Sequence, residues 1–470
     1  MKISLTTTLP YVNSDPHAGH ALEFVQADIV ARYHRLVGDE VFFNTGTDEH
    51  GVKIYRKACE ARMGVQEYVD EYAARFELLK EKLDLSYNAF IRTTDPKHVA
   101  AAQEFWKRCE AAGDIYRKEY KIKYCAGCEL EKTDSELEND RCPVHPTTSI
   151  DLIEEENYFF RFSKYQEPLL ALYRGRPDFV VPESRMNEIR SFVERGLQDF
   201  SISRVKDKMP WGIPVPGDET QVMYVWFDAL VNYISTLDWP DEKYREWWPS
   251  IQFAGKDNLR QQSAMWQAML MSAGIEPSKQ ILIHGFITSG GQKMSKSIGN
   301  VINPLDLVEI YGTDALRYYL ARHVHPFEDS DLTLERFHEV YTANLVNGLG
   351  NLVSRVMKLA ETHLDAPVTV EDVPYRDTCL VGVERYQFNT VLDQVWGLIG
   401  VLDERMTNEA PFKLVKTDLA KGKQIIADMV QGVYAIGRLL QPFMPHTAEL
   451  IMETVRTHKK PETMFPRIEI

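Results

Sequence analysis

Residues 3–20 read Ile3-Ser4-Leu5-Thr6-Thr7-Thr8-Leu9-Pro10-Tyr11-Val12-Asn13-Ser14-Asp15-Pro16-His17-Ala18-Gly19-His20. Ile3 to Leu9 is β-prone, Pro10 to Pro16 breaks the run, and Leu22, Val25, Ile29 and Tyr33 then keep a helical period. Strand, tight loop and helix make the opening unit of an α/β domain. His17 and His20 fall at the helix start, where unpaired N–H groups and the positive dipole end favour an anion such as a nucleotide phosphate. Gly19 removes a side chain where a ligand approaches the backbone. Taken alone, the four residues read as readily as two satisfied surface histidines.

The pattern then repeats. Glu40-Val41-Phe42-Phe43-Asn44 is a second strand, ending in Gly46-Thr47-Asp48-Glu49-His50-Gly51 before a helix from about Val52 to Met63. Open parallel sheets bind ligands beyond the carboxyl ends of their strands, where Asp48 falls. A carboxylate there pairs with the ammonium of an amino acid, or simply caps the helix. Neither a Walker A pattern nor G-x-G-x-x-G occurs, so P-loop and NAD(P) readings lose support. Past the middle, Ile281-Leu282-Ile283 reads as a buried strand. Gly285, Gly290 and Gly291 then mark a loop that carries Lys293-Met294-Ser295-Lys296-Ser297. Two ammonium groups there can stabilise charge growing on a phosphate, unless this is an ordinary solvated Lys/Ser loop.

Cys125-Ala126-Gly127-Cys128 is followed, after a polar insert, by Cys142-Pro143-Val144-His145. Each half places two soft ligands on one tight turn. Cys125, Cys128, Cys142 and His145 thereby complete a closed tetrahedral Zn2+ site of structural type. A thioredoxin-like redox pair would leave the second two ligands unexplained. Cys59, Cys109 and Cys379 stand alone and read as packed thiols.

The chain has 470 residues, enough for two to four domains. With 44% hydrophobic and 26% charged residues and a mean hydropathy of −0.32, it has the composition of a soluble globular protein. A net charge of −15 excludes indiscriminate nucleic-acid binding through a global positive field, though not a shaped local RNA site. No leader pattern or membrane-spanning apolar run is present, and six cysteines do not make a disulfide framework. A cytoplasmic protein with no membrane partner is expected.

The two motifs together resemble the class I aminoacyl-tRNA synthetases. His17-Ala18-Gly19-His20 stands at the first signature of that class, and Lys293 to Ser297 matches the second in full. More narrowly the chain is similar to the bacterial methionyl-tRNA synthetase family, from Leu9-Pro10-Tyr11 to Met464-Phe465-Pro466-Arg467-Ile468-Glu469. The resemblance implies ATP, brought with Mg2+, methionine and tRNA(Met) as partners. It gives catalytic roles to His17, His20, Lys293 and Lys296, and ATP contacts to Gly19, Asp257, Lys296 and Ser297. Asp48 becomes the amino-group ligand.

Tyr11, Trp226, Tyr233 and Trp266 would suit a polarisable thioether, although each alone reads as a core aromatic. With Leu9 and Ala229 they fall where the family has its methionine pocket. Gln262 stands there where His is expected, and Leu230 where Pro is usual. The resemblance also carries Asn351, Arg355, Asn408 and Phe412 to the anticodon, with Phe412 in a place where Trp is common. An aromatic there can stack on an unpaired base, and Asn or Arg can bond its edge. Two other readings stay open: a different class I synthetase, such as one for cysteine with zinc inside its amino-acid pocket, and a silent RNA-binding relative.

The run Val222 to Ala229 is expected to begin a second half-sheet, with Ile251-Gln252-Phe253-Ala254 as a further strand ending in Gly255-Lys256-Asp257. Asp257 could accept hydrogen bonds from ribose hydroxyls. From about Glu335 the apolar period is helical throughout. The expected fold is α/β: a Rossmann-like nucleotide-binding parallel sheet split by a zinc-binding connective domain and followed by an α-helical anticodon-binding bundle. Its segments are 1–114, the first half of the catalytic domain; 115–218, the connective domain; 219–334, the second half with the signature loop; and 335–470, the bundle. With no appended domain before the chain stops at Ile470, a monomer is expected.

Overall fold

The computed structural model describes residues 1–469 apart from Glu129, Thr133 and residues 295–299. Its centre is a sheet of six strands: β1 (Lys2–Thr7), β2 (Glu40–Thr47), β3 (Ala89–Arg92), β4 (Val180–Val181), β5 (Ile251–Gly255) and β6 (Gln280–His284). They lie in the order β3-β2-β1-β5-β6-β4, every neighbouring pair parallel. Leu5, Phe43, Phe253 and Leu282 are fully buried. Strands covered on both faces lose the polar alternation of a half-exposed sheet, which is why these segments read as continuous apolar runs. Helix α1 (Ala18–Leu36) crosses from β1 to β2, and α2 (Val52–Ala61) follows β2.

From β1 the chain first builds outward through β2 and β3, then returns to β1's other side with β5. That reversal opens a crevice beyond the carboxyl ends of β1 and β5. The chain between β3 and β5 forms a long antiparallel hairpin, Ile115–Cys125 against Ile150–Phe160, paired from Ile115↔Phe160 to Cys125↔Ile150. The same stretch contributes β4 to the edge of the parallel sheet.

One sequence expectation fails here. The run from Val222 to Ala229 does not start the second half-sheet. Strand Asp218–Met223 pairs antiparallel with Ser203–Val205 in a separate small sheet, and Val225–Ala229 is a short helix, α3. A buried apolar run has no period to separate helix from strand, and this one is short enough for either. The second half-sheet begins at β5.

Beyond the crevice the chain is helical: α4 (Thr313–Arg322), α5 (Asn351–His363), α6 (Phe388–Asn408), α7 (Leu419–Leu440) and α8 (Pro445–Thr457). A π-helical stretch, Tyr341–Gly350, leads into α5. One buried cluster runs from Leu5, Val25 and Phe43 through Leu316 and Tyr341 into Val395 and Val433, so bundle and sheet share a core. No helix among the described residues is long and apolar enough to cross a membrane.

Candidate active site and metal centre

The first signature closes on itself. His17 is the N-cap of α1: its Nδ1 accepts the Gly19 N–H at 3.1 Å, and the His20 Nδ1 accepts the His17 N–H at 3.3 Å. The rings stack with centroids 3.7 Å apart and planes 14° from parallel. A Cβ at Gly19 would stand 2.9 Å from the His17 ring, so the glycine makes this stack possible. Because each Nδ1 is an acceptor, the proton of each neutral ring sits on Nε2. Burial first, and then the neighbouring His17 and His284, hold the pKa of His20 well below its ordinary value. The helix start therefore offers neutral N–H donors, not cations.

The loops after β1 and β2 are stitched together. Asp48 N–H donates to the Pro10 carbonyl at 3.0 Å and Val12 N–H to the Asp48 carbonyl at 3.2 Å, with a parallel bridge between Tyr11 and Asp48. This places Tyr11 and Asp48 at adjoining strand ends, with Leu9 just before them and half-exposed. The capping alternative for Asp48-Glu49 fails: the N-cap of α2 is Gly51, with no side-chain cap. Glu49, fully buried, instead takes Arg92 Nε at 2.6 Å and Nη2 at 2.9 Å.

The predicted aromatic set separates into two pairs. Tyr11 meets the edge of Trp226 at 6.4 Å, while Tyr233 meets Trp266 at 5.9 Å. Gln262 lies in a π-helical turn, Gln261–Met265, and its Nε2 donates to the Tyr233 hydroxyl at 2.6 Å. Trp266 is fully buried against Phe105, at 5.5 Å, and Trp248, at 6.4 Å. Trp226 and Ala229 belong to α3, which Asp228 anchors: its carboxylate bonds His50 Nδ1 at 2.7 Å and His98 Nε2 at 2.9 Å. Burial alone would raise that carboxyl group's pKa, but the two imidazoles hold it below its usual value.

Across the crevice, Asp257 follows β5 and is exposed. A Cβ on Gly255 would stand 2.9 Å from the Asp257 Oδ1 and 3.6 Å from the His284 ring, so the glycine keeps a slot open between them. Lys293 lies in a two-residue strand, Gln292–Lys293, paired with Ile287–Ser289. Lys296 and Ser297 fall outside the described residues.

Sequence reasoning missed several polar groups. Glu23 stands three residues after His20 on the same helix face, and His284 ends β6, directly after the apolar triplet; position places both near the site but does not show what they bind. His50, His98 and Asp228 meet only through the fold. Arg204, nearly buried, lies over Tyr224 at 4.5 Å and Tyr124 at 5.4 Å, with Nη2 unpaired.

The four predicted metal ligands do converge. The ligand atoms of Cys125, Cys128, Cys142 and His145 all lie within 4.8 Å of one another, and none of the cysteines is in a disulfide. Cys128 Sγ is 3.5 Å from Cys142 Sγ and 3.2 Å from His145 Nδ1. A tetrahedron with metal–sulfur bonds of about 2.3 Å has edges of about 3.8 Å, close to these separations. A Cβ on Gly127 would fall 2.5 Å from the His145 ring, so the turn admits only glycine without displacing a ligand. The donor set fits a metal ion.

Of the four residues assigned to the anticodon, Arg355 Nη1 holds Asp403 Oδ1 at 2.8 Å across α5 and α6. Exposed Asn351 borders a cavity of about 280 Å3 with Asn347, Ser354, Lys460 and Arg467. Asn408 ends α6 in solvent, and Phe412, in the short helix Pro411–Leu414, is 41% exposed.

The family model of tRNA synthetases class I (M) matches residues 3–151 and 127–357. The chain is 42% identical over 471 residues to methionine–tRNA ligase of Thermosynechococcus vestitus, spanning 95% of this chain and 89% of that protein. It is 41% identical over 448 residues to the chloroplastic/mitochondrial methionine–tRNA ligase of Arabidopsis thaliana, covering 91% of this chain and 72% of the relative. Among solved structures, Mycobacterium tuberculosis methionyl-tRNA synthetase in complex with methionyl-adenylate superposes with a TM-score of 0.91 at 36% identity. That match covers 96% of this chain and 93% of the other.

Proposed function

The chain belongs to the class I tRNA synthetases, among the methionine–tRNA ligases, and from that premise we propose how its residues divide the reaction. It is a ligase that activates methionine with ATP to methionyl-adenylate and transfers it to the 3′ end of tRNA(Met). Segments 1–114 and 219–334 supply the catalytic crevice, 115–218 the connective domain and 335–470 the anticodon-reading bundle. Asp48 pairs with the methionine ammonium, while Leu9, Tyr11, Trp226, Ala229, Tyr233, Gln262 and Trp266 enclose the side chain. The methionine carboxylate then attacks the α-phosphate and pyrophosphate leaves.

Displacement at phosphorus needs positioning and charge stabilisation rather than a protein nucleophile. His17 and His20 donate from Nε2 to phosphate oxygens, beside Gly19, while Asp257 takes the ribose hydroxyls. Lys293, Lys296 and Ser297 serve the pyrophosphate, and Mg2+ enters with ATP. Asn351, Arg355, Asn408 and Phe412 read the anticodon. The observation that carries this division is the stacked His17–His20 pair, with both Nδ1 atoms used as acceptors, at the switch point of the sheet.

The test is ATP–pyrophosphate exchange with a panel of amino acids. Exchange with methionine alone, falling about 30-fold or more in Lys296→Ala, is the expected result. Exchange supported by a different amino acid overturns the pocket assignment and points to Gln262 and Leu230.

Cys125, Cys128, Cys142 and His145 hold one structural Zn2+, which clamps the end of a hairpin too small for a core of its own. Metal analysis is expected to give one zinc per chain, lost in Cys142→Ser. Limited proteolysis of that variant should cut first within 125–150 while the rest of the chain resists. A metal-free wild-type chain with the same protease resistance defeats the assignment.

A further inference from the structure

A third histidine stands between the two signature motifs. His284 ends β6 and is 5% exposed. Its Nε2 lies 2.9 Å from Glu23 Oε2, and its Nδ1 lies 2.7 Å from the Gly285 carbonyl oxygen. A carbonyl only accepts, and so does a carboxylate, so both ring nitrogens carry protons and the ring is an imidazolium. Burial works against that charge, but the Glu23 carboxylate, the Gly285 carbonyl and Asp257 outweigh it and raise the pKa of His284.

Both partners belong to signature elements. Glu23 lies on α1, one turn beyond His20, and its other oxygen takes the Thr8 N–H at 2.6 Å and the Thr8 hydroxyl at 2.5 Å. One carboxylate thus joins the end of β1, the helix of the first signature and the end of β6. Gly285 is the first residue of the connection to the second signature. It is pinned from its other side, since a Cβ there would stand 2.2 Å from the Glu328 carbonyl carbon. Phe286 N–H then donates to Asp329 Oδ1 at 2.9 Å and Ser330 N–H to the Phe286 carbonyl at 3.0 Å. From Gly285 the chain runs directly into the hairpin of Ile287–Ser289 and Gln292–Lys293.

We propose that His284, as an imidazolium clamped by Glu23, is a positioning residue that fixes the base of the second signature against the helix of the first. The start of the connection to the second signature is then held beside the first signature before ATP arrives. The role rests on the adenylate-forming reading above. His284 has spent both ring nitrogens on protein, so it acts through Gly285 and α1 and not on the substrate. Its charged and titratable surroundings are Glu23 and His20 from α1, Asp257 after β5, and the Asp329–Lys256 pair beside Gly285, with Lys256 Nζ 2.6 Å from Asp329 Oδ2.

The experiment compares wild type, Glu23→Gln, His284→Gln and the double variant in methionine-dependent exchange, with melting temperatures alongside. Each single variant is expected to lower kcat about 10-fold, with KM for methionine within about twofold. The double variant should be no slower than the slower single one, because the two groups act as a unit. A raised pKa keeps the imidazolium to higher pH than in an ordinary histidine, and the charge is lost as pH climbs through it. The wild-type alkaline limb should therefore move to lower pH in Glu23→Gln and vanish in His284→Gln. Wild-type rates in His284→Gln, or losses that multiply in the double variant, overturn the proposal. Should His284→Gln fail to fold, Glu23→Gln decides by the same limb. NMR titration of the His284 ring in the chain alone tests the ion pair without any substrate. Titration above the ordinary histidine value, falling in Glu23→Gln, supports the clamp even where exchange fails and the synthetase reading with it. Titration at or below that value overturns the clamp.

Discussion

His20→Ala is expected to slow methionyl-adenylate formation by about 10²–10³-fold, the usual effect of deleting one preorganised donor to a transition-state oxyanion. The loss should lie in kcat, with KM for methionine little changed, because Asp48, which pairs with the methionine ammonium, follows β2 and not β1. The tautomer makes the prediction sharper. His20 uses Nδ1 to accept the His17 N–H, so the donor is Nε2. Glutamine extends its amide nitrogen to about the Nε2 position, whereas asparagine reaches only that of Nδ1. His20→Gln should recover part of the rate and His20→Asn almost none; equal rates in the two would show that the donor is not Nε2.

The depressed pKa of His20 adds a pH signature. A ring neutral in the fold but protonated in the unfolded chain contributes stability that is lost as pH falls below the unfolded value of about 6.5. Exchange should show no acid limb from His20, while His20→Ala should unfold less steeply with acid than wild type. Urea midpoints between pH 7 and pH 5 measure it.

Much of this site is local and therefore legible. A histidine pair three residues apart at a strand–loop–helix junction, an acidic residue just past a second strand, and two C-x-x-[CH] turns each carry their meaning in a few neighbouring residues. The structure brings each of these local sets together. Residues whose role depends on what faces them are a different matter. Asp228 sits in an apolar run that reads as strand, and only the convergence of His50 and His98 makes it a buried anchor under α3. Glu23 occupies a core-facing slot of α1, where an acid looks like a break in the period until Thr8 and His284 close around it. The aromatic set divides by depth: Tyr233 and Trp266 are fully buried, Trp266 against Phe105, while Tyr11 and Trp226 are half-buried and meet each other. Spacing identifies the members of such a pocket, but not their depth.

Arg317→Ala is expected to destabilise the fold by about 3–5 kcal/mol, the range for removing one partner of a buried ion pair. Arg317 is fully buried in α4, and its Nη2 lies 2.8 Å from Asp28 Oδ2 on α1. The same guanidinium donates to Leu83 O at 2.9 Å, Pro442 O at 3.0 Å and Phe443 O at 2.9 Å. It thereby ties the helix of the first signature to the turn between α7 and α8. Asp28 also takes Arg32 Nε at 2.7 Å and the Ser86 N–H at 2.6 Å. Burial alone would raise its pKa, yet Arg317, Arg32 and Ser86 together hold it below the usual value. Lysine at 317 is a point charge and cannot serve carbonyls on three sides, so Arg317→Lys should recover little. Arg317→Met with Asp28→Asn removes both charges and should lose less than Arg317→Ala alone, because no buried carboxylate is left uncompensated. Urea denaturation of these variants, with Arg317→Met and Asp28→Asn also measured singly, reads these differences. Losses that simply add across the double variant would show that Arg317 and Asp28 stabilise the junction independently, and that the packing of α4 rather than the ion pair joins the bundle to the catalytic sheet.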